Sequence, residues 1–242
     1  MKEERIKKEK VNDFKILLEK IAKKDSSTIQ VFFNEVAIYM FENLQICAGN
    51  DVYTFAEVEF YYHDDKSFNN EVYNCTYPRN RRCGEFFWHY SGMDICFNCD
   101  LSLTGKMYFG GILIRCLEKH GEEEGIIAGP MRCSCEVMNS CNSNMIGPCL
   151  ADIDEKYKPK GKLLSTIRYG VKDEEQNEQN MLCFCYYLDL ASWTRERNNV
   201  LSMINNNTKY RFDKIKKESY NACPNRRKIR EKIISNTVHD YR

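Results

Sequence analysis

Glu57 and Glu59 stand two apart in the run Ala56-Glu57-Val58-Glu59-Phe60-Tyr61. Residues two apart in a strand share a face, so the pair would sit side by side on an otherwise apolar element. Burial and a neighbouring like charge both raise the pKa of a carboxylic acid, which suits Glu59 to act as a general base or acid. The competing reading is a strand face that carries two solvated glutamates, and on composition alone it is the better one. Cysteine chemistry has also to be weighed, because the chain holds 13 cysteines. Cys96-x-x-Cys99 and the group Cys133, Cys135, Cys141 and Cys149 supply enough thiolates for zinc, but a single CxxC with no second pair at ribbon spacing argues against it. No metal and no other cofactor is expected. A cysteine nucleophile working with His63 or His89 is a further alternative, in which no particular cysteine stands out as activated.

The elements that would position these groups can be read from periodicity. Residues 1–24 carry Ile6, Val11, Phe14, Leu17, Leu18 and Ile21 at three- and four-residue spacing among Lys and Glu, the pattern of an amphipathic helix. A second helical pattern covers 28–44. Gly49-Asn50-Asp51 signals a turn, after which the period becomes two and predicts a strand over 52–62. Unbroken alternation would put Val52, Ala56, Val58 and Phe60 on one face and Tyr53, Phe55, Glu57, Glu59, Tyr61 and His63 on the other. Short strands are predicted over 86–90 and 95–97, punctuated by Gly92, and at 112–114, a run that ends on Arg115. An acidic turn at 122–124 leads into 129–160, a stretch mixing Gly, Pro, Asn, Ser and Cys. Two more strands, 167–171 and 182–188, flank a polar insert read as an exposed hairpin loop. The tail from Trp193 reads as polar helix broken at Pro224, and no internal repeat is found.

Composition narrows the class. At 242 residues, 43% hydrophobic and 29% charged, the chain can bury a core without a staple, and one domain is the expectation. The expected division is 1–48 as N-terminal helices packed on the domain, 49–190 as the α+β core and 191–242 as a charged helical extension. Lys plus Arg total 36 against 35 acidic residues, so any contact with a polyanion must be local. Residues 2–10, 79–82 and 209–232 are the basic stretches, and a solvated surface is the better reading of the first and last. The N-terminus has no apolar signal segment and no apolar run is long enough to span a bilayer. A monomer in a reducing, cytoplasmic setting, without membrane contact, is therefore expected.

The strand at 56–61 resembles the Val-Glu-Thr-Glu-Ala-Tyr strand of 3-methyladenine DNA glycosylases. Pro78-Arg79-Asn80 is similar to that family's Pro-Arg-Asn segment, and 86–98 (FFWHYSGMDICFN) to its Tyr-Val-Tyr-x-x-Tyr-Gly-Met-x-x-Cys-x-Asn run. Residues 111–118 resemble its Val-Leu-Leu-Arg-Ala-Leu-Glu strand. Gly129-Pro130 and 165–171 are similar to later landmarks, although Gly147-Pro148 competes with the former. The pieces occur in order over about 52–190. The resemblance implies a single α+β domain with a curved, largely antiparallel sheet and flanking helices. It also implies that Glu59 deprotonates water, that Arg115 helps hold the water and a backbone phosphate, that Tyr61 and Trp88 sandwich a base, and that Asn98 reads it at the pocket floor. Arg79 and Asn80 belong to the same substrate-binding surface.

Such residue types fit N-glycosidic cleavage, where a carboxylate stabilises an oxocarbenium-like sugar and takes the proton of water. Aromatic faces hold an extruded base through stacking worth about 1–3 kcal/mol per base. Two departures bear on substrate. The family's intercalating tyrosine falls on Ser91, and no histidine lies between His63 and His89 to serve as the pocket histidine. With a net charge of +1, these losses point away from duplex DNA and toward single-stranded nucleic acid, a nucleotide or a nucleoside derivative. A base-binding or protein-interaction module without catalysis is the alternative.

Overall fold

The computed structural model describes residues 7–23, 29–64, 81–97, 108–121, 124–142, 147–159, 163–167 and 182–186. Helix α1 (Glu9–Glu19) runs into a 3-10 turn at Lys20–Lys23 and is followed by α2 (Ile29–Asn43), β1 (Leu44–Ala48) and β2 (Asp51–Asp64). Then come β3 (Phe86–His89), β4 (Gly92–Cys96), β5 (Tyr108–His120), β6 (Gly125–Ala128), α3 (Pro130–Asn142) and β7 (Cys149–Asp152). A 3-10 turn at Glu155–Tyr157 precedes β8 (Leu163–Ile167) and β9 (Leu182–Tyr186). The described strands form one antiparallel sheet in the order β3-β4-β5-β2-β1-β7, with β6 on β5 and with β9 joining β2 to β8. Helices and a curled antiparallel sheet together make an α+β fold.

The helices owe their place to apolar stripes. Val11, Phe14, Leu18 and Ile21 recur every three or four residues, and all are buried. On α2 the stripe is Phe32, Phe33, Val36, Ala37, Met40 and Phe41, again buried. Phe33 stacks on Phe60 of β2 with ring centroids 4.6 Å apart and lies 5.9 Å from Phe97, so aromatic packing joins α2 to the middle of the sheet. Gly110 is required where β5 passes β2, because a Cβ there would fall 2.1 Å from the Tyr61 carbonyl oxygen and 2.6 Å from the Phe97 ring.

Several elements differ from the sequence reading. Strand β1 begins directly where α2 ends, and it pairs with β2 through a two-residue turn at Gly49-Asn50, with Gly49 at φ 59°. Part of 129–160 is helix α3, which Gly129 (φ 107°) and Pro130 open, a proline at the first helical position needing no N–H partner. Strand β6 was not expected. Strand β5 is far longer than 112–115, β4 starts at Gly92 rather than residue 95, and β8 occupies Leu163–Ile167, while 168–171 of the strand expected over 167–171 lie outside the described residues. The insert 172–180 and the C-terminal extension lie outside the described residues.

Candidate functional site

The centre of the sheet is built around a break in alternation. Phe55 pairs with Leu117 and Val58 with Ile114, but only Glu57 opposite Cys116 lies between them, so Ala56 and Arg115 stand outside the register. One extra residue on each strand shifts the phase of both. Phe55 meets the Phe41 ring and Phe60 meets the Phe33 ring, both rings belonging to α2, although an unbroken strand would turn residues five apart to opposite faces. The expected two-faced strand is therefore corrected: Tyr53 and Phe55 join Val58 and Phe60 in the core. Glu59 and Tyr61 alternate with the core residues after the shift and point to the other face.

On that face the acids meet one guanidinium. Arg115 donates from Nε to Glu57 Oε1 at 2.9 Å and from Nη1 to Glu59 Oε2. The Tyr61 hydroxyl donates to Glu59 Oε1 at 2.5 Å. Both glutamate side chains are fully buried, whereas Arg115 is 15% exposed, so the cluster reaches solvent along its arginine edge. The Arg115 carbonyl accepts from Gly129 N at 2.8 Å, which fastens the arginine's backbone to the start of α3. Cys133 of α3 lies close by: burial pushes its thiol up to about 12, and the Glu57 carboxylate adds to the effect.

A second polar pair continues the row. Asp94 is in register with Leu113, and Leu113 with Glu59, so one line of side chains crosses β4, β5 and β2. Buried Asp94 contacts His89 Nε2 at 3.2 Å, and His89 Nδ1 is 2.9 Å from Ser91 Oγ. Phe87 and His89 share a face of β3, with ring centroids 6.0 Å apart. Tyr90, at the tip of the β3–β4 hairpin, is 87% exposed.

The structure thus brings together Glu59, Arg115 and Tyr61, and adds Glu57. It does not bring Trp88 to them: Trp88 is in register with Met93, out of phase with Phe87 and Asp94, and so lies on the opposite side of β3. The sandwich of Tyr61 and Trp88 expected from the resemblance is not assembled, and Phe87 and His89 are the rings on the acid-bearing face. Ser91 sits at the hairpin tip against His89, next to an exposed aromatic ring that sequence reasoning passed over. Asn98, Arg79 and Asn80 lie outside the described residues, as do Cys99 and the side chain of His63.

Trp88 instead lines a groove of about 340 Å³ between α1 and the β3 and β7 strands, with Lys8, Lys15, Arg81, Glu85, Phe86 and Cys149 among its walls. Of the cysteines weighed for zinc, Cys96 and Cys133 are buried while Cys135 is exposed. Among the described residues, no three of His, Cys, Asp and Glu are placed to share a metal ion, and no helix is long and apolar enough to cross a membrane. No protein-family model, curated protein or solved structure matches the chain.

Proposed function

We propose that the chain hydrolyses an N-glycosidic bond, releasing a purine-sized base from DNA, single-stranded nucleic acid or a nucleotide, with Glu59 activating water. The observation that carries this reading is the convergence of Glu59 and Arg115 on one face of the central strands. The sequence pattern around both residues, resembling that of 3-methyladenine DNA glycosylases, is what gives them these roles. Arg115 holds one oxygen of Glu59, and its part-exposed guanidinium is the group that would meet a phosphate. The other oxygen accepts from Tyr61, whose side chain is half-buried. A substrate that moves the phenol aside frees Oε1 to take a proton from water. The water oxygen then bonds to the anomeric carbon, the C–N bond breaks, and its electron pair leaves with the base.

One observation favours a second reading. Both Glu59 oxygens are already engaged and the side chain is fully buried, as suits a nucleobase-binding module that stabilises its fold through the cluster and turns nothing over. Incubation of the purified chain with duplex DNA, single strands, RNA and modified nucleosides, followed by mass spectrometry for free base, separates the two. Release of a base supports hydrolysis, whereas saturable binding with no release supports the binder.

A further inference from the structure

We propose that Cys149 is a thiol–disulfide exchange site, reached through the cationic groove by a small anionic disulfide and resolved by Cys47. The argument begins with the pairing of β1 and β7, in which Cys47 lies directly opposite Cys149. Facing residues of antiparallel strands have Cα atoms about 4.5–5.5 Å apart and side chains on the same face. A disulfide needs about 4.4–6.8 Å between Cα atoms, so the register of the pair puts it within disulfide range. The structure holds both as free thiols, half-buried and near enough for each to shift the other's ionisation.

The surroundings distinguish the two sulfurs. The neighbouring Cys47 thiol, helped by Lys8 against the effect of burial, holds Cys149 down to about 6. Cys149 and burial push Cys47 up, and of the two only Cys149 lines the groove, so Cys149 is the attacking thiolate and Cys47 the reserve thiol. Access is also unequal, because Cys149 lines the groove. Lys8, Lys15 and Arg81 outnumber Glu85 on its walls, and Trp88 and Phe86 supply apolar surface. A peptide-like anion carrying a disulfide, such as oxidised glutathione, matches that chemistry.

The exchange balances as two displacements. Cys149 thiolate attacks one sulfur of the small disulfide, forms a mixed disulfide and expels one small thiolate. Cys47 then loses its proton to solvent and attacks Cys149, expelling the second small thiolate. The protein dithiol is oxidised to a Cys47–Cys149 disulfide, and the small disulfide is reduced to two thiols.

The test treats the reduced full-length chain with oxidised glutathione, traps remaining thiols with a maleimide and maps the cysteines by mass spectrometry. Cys149 reacts before the exposed Cys135, and the product is the Cys47–Cys149 disulfide. At pH 6 it reacts about tenfold faster than a cysteine in a short peptide, from a larger thiolate fraction offset by lower nucleophilicity. Cys47→Ser halts the reaction at the glutathionyl adduct on Cys149. Lys8→Glu slows exchange with oxidised glutathione severalfold more than with the neutral bis(2-hydroxyethyl) disulfide. The proposal is overturned if Cys135 reacts first, if Cys149 pairs elsewhere, or if the charge of the disulfide makes no difference to Lys8→Glu. The unsubstituted chain's own kinetics decide the matter if Cys47→Ser does not fold.

Discussion

Phe55 and Phe60 stand five residues apart on β2, yet both pack against aromatic rings of α2. The extra residue between them, Ala56, is what permits this, and the matching irregularity at Arg115 lets β5 follow. The device places core residues on both sides of the break and leaves Glu59 on the opposite face. Deleting Ala56 restores plain alternation and forces one aromatic pair out of the core. Loss of a buried Phe costs about 3–5 kcal/mol, so the deletion is expected to unfold the chain or lower its urea midpoint sharply. A deletion variant with an unchanged midpoint contradicts the role given to the break.

Arg115 holds two buried carboxylates at once. Replacing it with Met removes the guanidinium that both buried carboxylates contact and is expected to cost about 3–5 kcal/mol of stability. Arg115→Lys costs nearly as much, because an ammonium does not reproduce the fork that reaches Glu57 and Glu59 together. Adding Glu57→Gln and Glu59→Gln to Arg115→Met recovers a large part of the loss. Urea denaturation of Arg115→Met, Glu57→Gln, Glu59→Gln and the triple variant measures this coupling, and simple additivity of the three substitutions argues that the side chains act independently.

His120 offers a prediction in pH. Burial, with Lys156 acting in the same direction and Glu124 against it, holds its pKa below the usual imidazole range. The ring stacks on Tyr157 at 4.2 Å, and its Nε2 lies 2.8 Å from Thr54 Oγ1. The unfolded chain therefore binds a proton here more readily than the folded one. This group's contribution is complete above its unfolded pKa of about 6.5 and is lost as pH falls through that value toward the folded one. Thermal melts between about pH 5 and 7 should show stability rising with pH, with a shallower slope in His120→Gln. An equal slope in both proteins removes His120 from the account.

The helical stripes of α1 and α2 and the strand character of β2 were legible because burial on one side leaves a period in the sequence. The phase break was not, since Ala56 and Arg115 look like ordinary strand residues and only the partner strand reveals the slip. Trp88 was misplaced for a related reason: a motif fixes a residue's order along the chain, whereas the face it occupies follows from its register with Met93. Helix α3 was hidden by Cys, Ser and Asn, residues of modest helix propensity. Its signals were Gly129-Pro130 at the start and the four-residue spacing of buried Cys133 and Val137. The pairing of Cys47 with Cys149, about a hundred residues distant along the chain, has no local signature at all.

The reading of Glu59 as the water-activating base is tested most directly by single-turnover release of free base, measured for the parent chain and Glu59→Gln on the same single-stranded or nucleotide substrate. Release by the parent chain is expected to fall by about 10²–10⁴-fold in Glu59→Gln, with substrate affinity retained. Equal rates for the two proteins, or no release by the parent chain from any nucleobase substrate, would contradict it.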